Sequence, residues 1–527
     1  MTDSEGEPDA EQTRRALQAS RPDLVDRFDE ELPKARAAVL RRLWTAVRRE
    51  PIPGVAHVRT VGSDALVTLS DGRMAIGPAL DQYAEATEDL RIRVQVNGTT
   101  EAYTDPAELL DAVNPATEGL QRELSNSVAN LALARAASAE VDLTELQGDP
   151  NGLVAMEQSV VDGHPLHPCC RTRMGLSTAD VLAYAPEHRR QVELEVWSVP
   201  PSRWFTTGAG APPRLVLHPW QAAHYGDDLR RIGGKPVDRV TARPLMSLRT
   251  LATAKDPTRH YKTALGVQMT SAVRQVSPAA VHNGPRVSDL LSRLAADLPI
   301  RILPEVAAGA VLVDGVPHPM LAYAVRRAPT PQAGDVWTPL ASVPQPAVLD
   351  QILRIGYGGH PVAFWRDLTT TLVPPILTLL ARGAGLEAHG QNLLLRLAYG
   401  RPAEAGYRDV GGIHLHPDRL RQAGVDLPDV RGSLLTDDLG ELQAKPFATL
   451  FAVVLTQIAY TLEHRHGADP RTLWRLTADL TEQAPDPRDR LALAGTTLPI
   501  KATTAMRLAA DPVADIWATT ANPLAGV

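Results

Sequence analysis

Residues 385–395 read GLEAHGQNLLL, so a carboxylate (Glu387), an imidazole (His389) and two carboxamides (Gln391, Asn392) stand directly before three leucines. Leucine runs are buried, and polar side chains beside them need hydrogen-bonding partners to be buried with them. Either a local turn satisfies them or a ligand does, with or without a metal. Downstream, LLLRL reads as a short apolar strand, YGRPAEAG as a turn-rich connection, and YRDVGGI as a second strand that breaks at Gly411 and Gly412. Such a hairpin sets Asn392 beside Asp409 at its base. An amide oxygen and a carboxylate are hard donors suited to Mg²⁺, and protein kinases hold magnesium against ATP with an Asn and an Asp. An Asp before two glycines is also a common turn former.

A second cluster is basic. From Arg243 to Arg274 the chain carries Arg243, Arg249, Lys255, Arg259, Lys262 and Arg274 against the single acid Asp256. Local positive charge in an acidic chain suits a polyanionic substrate. In SLRTL, strand alternation puts Ser247 and Arg249 on one face. Lys262 follows in another strand-like run, a point charge of the kind used on phosphates. If QMTSAVRQ begins a helix, Thr270 and Arg274 share a face four residues apart, and the helix N-terminus favours an anion. Lys255 and Arg259, flanked by DPTR, read as solvent-facing.

The run GHPLHPCCRTRMG, 163–175, has a zinc-like look in its two histidines and two cysteines. Each histidine precedes a proline, which favours an extended backbone, and no second ligand pair follows. The alternative is a rigid loop in which Arg171 and Arg173 present charge and His164 or His167 bonds a substrate. Cys170 near His167 also has the ingredients of a nucleophile. HPWQ, 218–221, reads as a packed turn.

These groups need a scaffold, and 527 residues exceed what one core usually organises. The first twenty residues read as a flexible tail. Residues 24–50 have helical periodicity, 58–77 alternate as a hairpin around SDG, and 106–143 suggest helices. Short apolar runs broken by Gly and Pro make 161–345 sheet-rich, and from 346 onward long apolar periodic segments read as helices. The expected division is a tail at 1–20, an α+β lobe at 21–160, a sheet-rich lobe at 161–345 and a mostly helical lobe at 346–527. A net charge of −7 leaves no global excess of cations for nucleic acid. Two adjacent cysteines, Cys169 and Cys170, supply neither a disulfide framework nor a four-cysteine cluster. The polar start has no signal-like apolar region, and no unbroken apolar run reaches the roughly 20 residues of a membrane span. The expectation is a cytoplasmic enzyme with no membrane partner.

Taken in order, GHPLHPCCRTRMG, HPWQ, SLRT, the KT-to-TSAVR run, NGP, EAHGQN and YRDVGG resemble the NRPS-independent siderophore synthetases of the aerobactin-synthetase type. The likeness spans about 145–430, and the rest to about 525 looks like the family's C-terminal part. The resemblance implies an α+β fold with thumb, fingers and kinase-like palm lobes. It also implies Mg²⁺-ATP, adenylation of a carboxylate, commonly of citrate, and transfer of the acyl group to an amine or hydroxyl. By motif, Ser247, Arg249, Thr250, Lys262 and Gln391 would hold ATP. His164, Arg173, Thr270, Arg274 and His389 would meet the substrate, and Glu387, Asn392 and Asp409 the metal. Arg274, His389 and Lys262 would be catalytic. Arg171 stands where the family usually has Lys, and the cysteine tail of ferric-reductase-like proteins is absent. A homodimer is common in such families. The rival readings are a kinase-like phosphotransferase, which lacks the Asp base ahead of its Asn here, and a protein that binds a carboxylate or nucleotide without turnover.

Overall fold

The structure, a computed structural model, describes residues 9–96, 98–114, 117–509 and 515–527. Its first described element corrects the expectation of a tail: Ala10–Ser20 is helical, while 1–8 lie outside the described residues. A capping box closes its start, with the Asp9 carboxylate accepting from Gln12 N at 2.9 Å and the Gln12 side-chain Oε1 accepting from Asp9 N at 3.1 Å. Leu17, fully buried, anchors it to the core. A polar composition hid this short amphipathic helix.

The long helix Val25–Arg49 forms as its periodicity predicts. It buries Phe28, Leu40, Leu43 and Trp44, each contributing about 1.5–3 kcal/mol by leaving water. It packs on the helix Glu118–Ala136 and on a five-stranded antiparallel meander. The expected hairpin around SDG is the middle of that meander, Asp64–Leu69 paired with Met74–Pro78.

An eight-stranded antiparallel sheet dominates the middle of the chain. Four of its neighbouring strands, Glu305–Val313, Val316–Arg327, Arg259–Thr263 and Thr250–Thr253, decide the chemistry. Their register pairs Glu305 with Arg326, Arg326 with His260, Lys262 with Ala324, and Thr250 with Lys262. Directly paired residues point to the same face, so Glu305, Arg326, Lys262 and Thr250 emerge together on one side of the sheet.

A four-stranded sheet, in the order Ile300–Ile302, Arg401–Tyr407, Leu393–Ala398 and Asp335–Pro339, takes two strands from either side of residue 345. The hairpin after Asn392 is therefore present with a different turn. The reversal is at Tyr399 and Gly400, both with positive φ, and most of the expected turn-rich connection is strand. The apolar side of this sheet is covered by the helices Pro346–Tyr357 and Pro361–Ala381, and by Leu439–His466 and Pro470–Thr481 beyond them. Among the described residues, Leu439–His466 is the one helix long and apolar enough to cross a bilayer, and 67% of its apolar window is buried within the protein. Its segment Phe447–Leu455 is a π-helix, and Tyr83 donates its hydroxyl to the carbonyls of Ala452 and Val453 there. A closing hairpin, Thr497–Lys501 with Trp517–Ala521, packs on that same helix.

Candidate active site

Between the eight-stranded sheet and the hairpin base lies a cavity lined by residues from both. The two stretches singled out in the sequence converge on it. Lys262 Nζ donates to Asp409 Oδ1 at 2.9 Å and to Glu305 Oε1 at 3.1 Å. Arg326 sits 3.5 Å from Glu305 and 3.6 Å from Asp409. Burial penalises the Asp409 charge, but Lys262 and Arg326 outweigh it and hold that carboxyl far below the ordinary range.

Ser247, Arg249, Thr250, Thr270, Arg274, Gln391, Asn392 and Arg173 all line the same cavity, though two of the segments that carry them differ from the expectation. SLR is a tight turn leading into Thr250–Thr253, with Leu248 at φ +63°, so Ser247 and Arg249 are presented by a loop. TSAVR is likewise a hairpin. Leu265–Met269 pairs with Ala272–Arg274, and Thr270 turns the chain at φ +60°. That left-handed residue forbids the predicted helix, and no helix N-terminus faces the cavity from there.

Seven basic side chains border the cavity against two acids, Glu157 and Asp409. Most are paired. Arg171 and Arg173 meet the buried Glu187, at 3.9 and 2.7 Å. Burial works against the Glu187 charge, and the two guanidinium groups hold its carboxyl down to about 2. Arg171 also donates to the carbonyls of Val160 and Val161, which makes it a strut behind the wall. Arg408 is bound to Glu157. Arg249 and Arg274 differ: their hydrogen bonds go to the carbonyls of Gln275 and Met269, and among the described residues neither has a carboxylate within ion-pair distance. Burial and the nearby Arg249 lower the Arg274 pKa to about 10, which leaves it cationic at neutral pH. Two adjacent cations without a counter-anion are arranged to receive one.

The expected substrate-contacting histidines His164 and His389, like His167, are not among the residues that line this cavity. His389 Nδ1 accepts from the backbone N–H of Gln391 at 3.2 Å and of Asn392 at 3.3 Å, and burial lowers its pKa. A neutral imidazole that accepts at Nδ1 carries its proton on Nε2. His164 lies within electrostatic reach of His389 and is pushed down to about 3, mainly by burial. His167 accepts from Cys169 N at Nδ1 and donates from Nε2 to Ser271 Oγ at 2.6 Å. It thereby braces the Thr270 turn.

Glu387 is the expected metal ligand that the fold turns elsewhere. It pairs with Lys501 at 3.3 Å and does not line the cavity. Lys501, from the closing hairpin, also pairs with Asp515 at 3.2 Å. Among the described residues no three His, Cys, Asp or Glu side chains cluster as metal ligands. Sequence reading missed Arg326, Glu305, Glu157, Arg408 and Lys501. The available signal was a charge inside an apolar strand, as in LAYAVRR, where Arg326 follows five residues of strand core.

The IucA / IucC family profile matches residues 152–214 and 212–345, the span that supplies Arg173, the 247–250 turn, Lys262, Arg274 and Arg326. Over that span the chain is similar to the IucA / IucC family. A second profile, the ferric iron reductase FhuF-like transporter, matches residues 362–515. That stretch contains no cysteine, so the cysteine tail expected to be missing is missing from it. Similar proteins include the rhizobactin siderophore biosynthesis protein RhbC of Rhizobium meliloti, 26% identical over 74% of this chain and 78% of that protein. The D-ornithine–citrate ligase of Staphylococcus aureus is 24% identical over 54% of this chain and 53% of its own. The ATP-bound aerobactin synthetase IucA of Klebsiella pneumoniae shares the family fold at a TM-score of 0.75 and 17% identity, over 94% of this chain and 100% of that one.

Proposed function

We propose that this protein is an ATP-dependent siderophore synthetase. It adenylates a carboxylate of citrate or a related polycarboxylate and joins the acyl group to an amine or hydroxyl, releasing AMP and pyrophosphate. The observation that carries this reading is the pair Arg249 and Arg274, unneutralised beside the Lys262–Asp409 contact in one cavity. Citrate and ATP come from the family relatives.

In this reading the carboxylate attacks the α-phosphorus, so two anions that repel must be held together while charge builds on the phosphate. Ser247, Arg249, Thr250 and Lys262 hold the phosphates, with Gln391 at the nucleotide edge. Arg274 and Thr270 orient the acid from the opposite hairpin, with Arg173 and His164 behind it. Asn392 and Asp409 would hold a magnesium ion through an amide oxygen and a carboxylate, the hard donors it prefers. When bound it neutralises phosphate charge. Glu387, tied to Lys501, supports His389 from behind. Because His389 carries its proton on Nε2, it donates toward the acyl or phosphoryl oxygen; it is not the base that deprotonates the amine. Thumb, fingers and palm lobes surround this cleft, with the palm sheet drawing strands from both sides of residue 345.

The test is a pyrophosphate-release screen of carboxylic acids crossed with amines, with mass spectrometry of the products. AMP, pyrophosphate and an amide or ester are expected. ADP as the nucleotide product would overturn the reading in favour of a phosphotransferase.

A further inference from the structure

The helix Gly152–Gln158 contributes a charge to the cavity that the proposed chemistry leaves unused. Glu157 is fully buried. Its Oε1 accepts from Arg408 Nη1 at 2.5 Å and its Oε2 from Met246 N at 3.1 Å. Arg408, 3% exposed, donates its Nε to the Gln391 carbonyl at 3.1 Å and its backbone N–H to the Asn392 carbonyl at 3.0 Å. One carboxylate therefore touches the turn that presents Ser247 and Arg249. Through a single guanidinium it also holds the strand end that presents Gln391, Asn392 and Asp409. The next residue, Gln158, adds a bond to the Pro244 carbonyl at 3.0 Å, just before that turn.

A buried ion pair is a poor way to gain stability, because an apolar pair of similar size is often as stable or more so. What the pair supplies is directional: three hydrogen bonds of fixed geometry joining two walls through Glu157 and Arg408, which are 251 residues apart in sequence. Burial opposes the Glu157 charge, yet Arg408 keeps its carboxyl below the ordinary range, so the pair stays ionised in the fold.

We propose that Glu157 is a positioning residue. Acting through Arg408, it holds the Met246–Arg249 turn and the Gln391–Asp409 strand end at one spacing, so that a triphosphate is gripped from both sides at once. The identity of the ligand rests on the function proposed above; the tether itself does not.

The test compares the wild type with Glu157→Gln and with the double variant Glu157→Met, Arg408→Met, which strands no buried charge. Two quantities are read on each: hydrogen exchange of the 245–249 backbone in the free protein, and the dissociation constant for ATP by calorimetry. Both variants should exchange at 245–249 about tenfold faster or more, with distant strands unchanged, and should bind ATP about tenfold more weakly. The double variant should recover most of the melting temperature lost by Glu157→Gln without recovering ATP affinity. A purely structural role would instead return 245–249 exchange to the wild-type rate together with stability in the double variant, and that result overturns the proposal, as does unaltered exchange at 245–249 in Glu157→Gln. If the wild type bound no ATP, the proposed function would fall while the exchange result would still decide the tether.

Discussion

Replacing Arg274 with Ala separates chemistry from stability more cleanly than any other change at this site. Its guanidinium donates to the Met269 carbonyl at 2.6 Å and, among the described residues, pairs with no carboxylate, so its removal strands no buried anion. The fold then loses about one hydrogen bond, roughly 1 kcal/mol, and the melting temperature should move by only a few degrees. The reaction loses a cation aimed at the acid and the charged phosphate. Losses of that kind raise barriers by about 2.7–4 kcal/mol, a fall of about 10²–10³-fold. Arg274→Lys keeps the charge without the planar fork and should fall in between. The assay is citrate-dependent pyrophosphate release at saturating ATP, run beside a thermal melt. Release within about threefold of the wild type would refute the reasoning, because a threefold change corresponds to well under 1 kcal/mol. So would an activity loss that merely follows a collapsed melt.

Lys262→Met should behave in the opposite way. It leaves Glu305 and Asp409 with Arg326 alone, a loss of about 3–5 kcal/mol, so both melting temperature and pyrophosphate release drop. A second change, Asp409→Asn, should restore part of the melt and none of the release. His389→Ala should slow the reaction by about 10²-fold without removing an ionisation near neutrality from the pH–rate profile, since the imidazole acts as a neutral donor; loss of such an ionisation would count against the assigned tautomer. Glu50 supplies a pH prediction away from the cleft. It accepts from the backbone of Thr504 and Ala505 at 2.7 and 2.8 Å, and burial pushes its carboxyl up to about 7 against the pull of those bonds. The folded protein keeps a proton that the unfolded chain releases near 4.5. The resulting stability, about 3 kcal/mol at about 1.4 kcal/mol per pH unit, is full below pH 4.5 and lost as pH rises through about 7. Glu50→Gln should flatten that slope in melts taken across this window.

The residues that touch the cavity were more legible in the sequence than the backbone that carries them. Lys262 reads correctly as a strand residue because β-branched and apolar neighbours surround it. Asn392 and Asp409 read correctly as a hairpin base because an apolar run ends at one and glycines follow the other. SLRT and TSAVR were misread for a shared reason: Leu248 and Thr270 adopt positive φ, a conformation that bulky residues avoid and that no local propensity announces. The partners Glu305, Arg326, Glu157 and Arg408 lie far apart in sequence and meet only through strand register and a buried ion pair. The helix Ala10–Ser20 stayed hidden because one apolar side chain, Leu17, does most of its anchoring.

Leu248, Thr270 and Asp409 are three of the six non-glycine residues with positive φ among the described residues, and all three border the cavity. Each holds about 1–3 kcal/mol of unfavourable backbone energy. Durability and turnover are therefore opposed at these positions. At 248 the buried Leu side chain outweighs that strain, so a library screened only for survival at high temperature would accumulate glycine at 270 and drift toward sturdier, slower proteins.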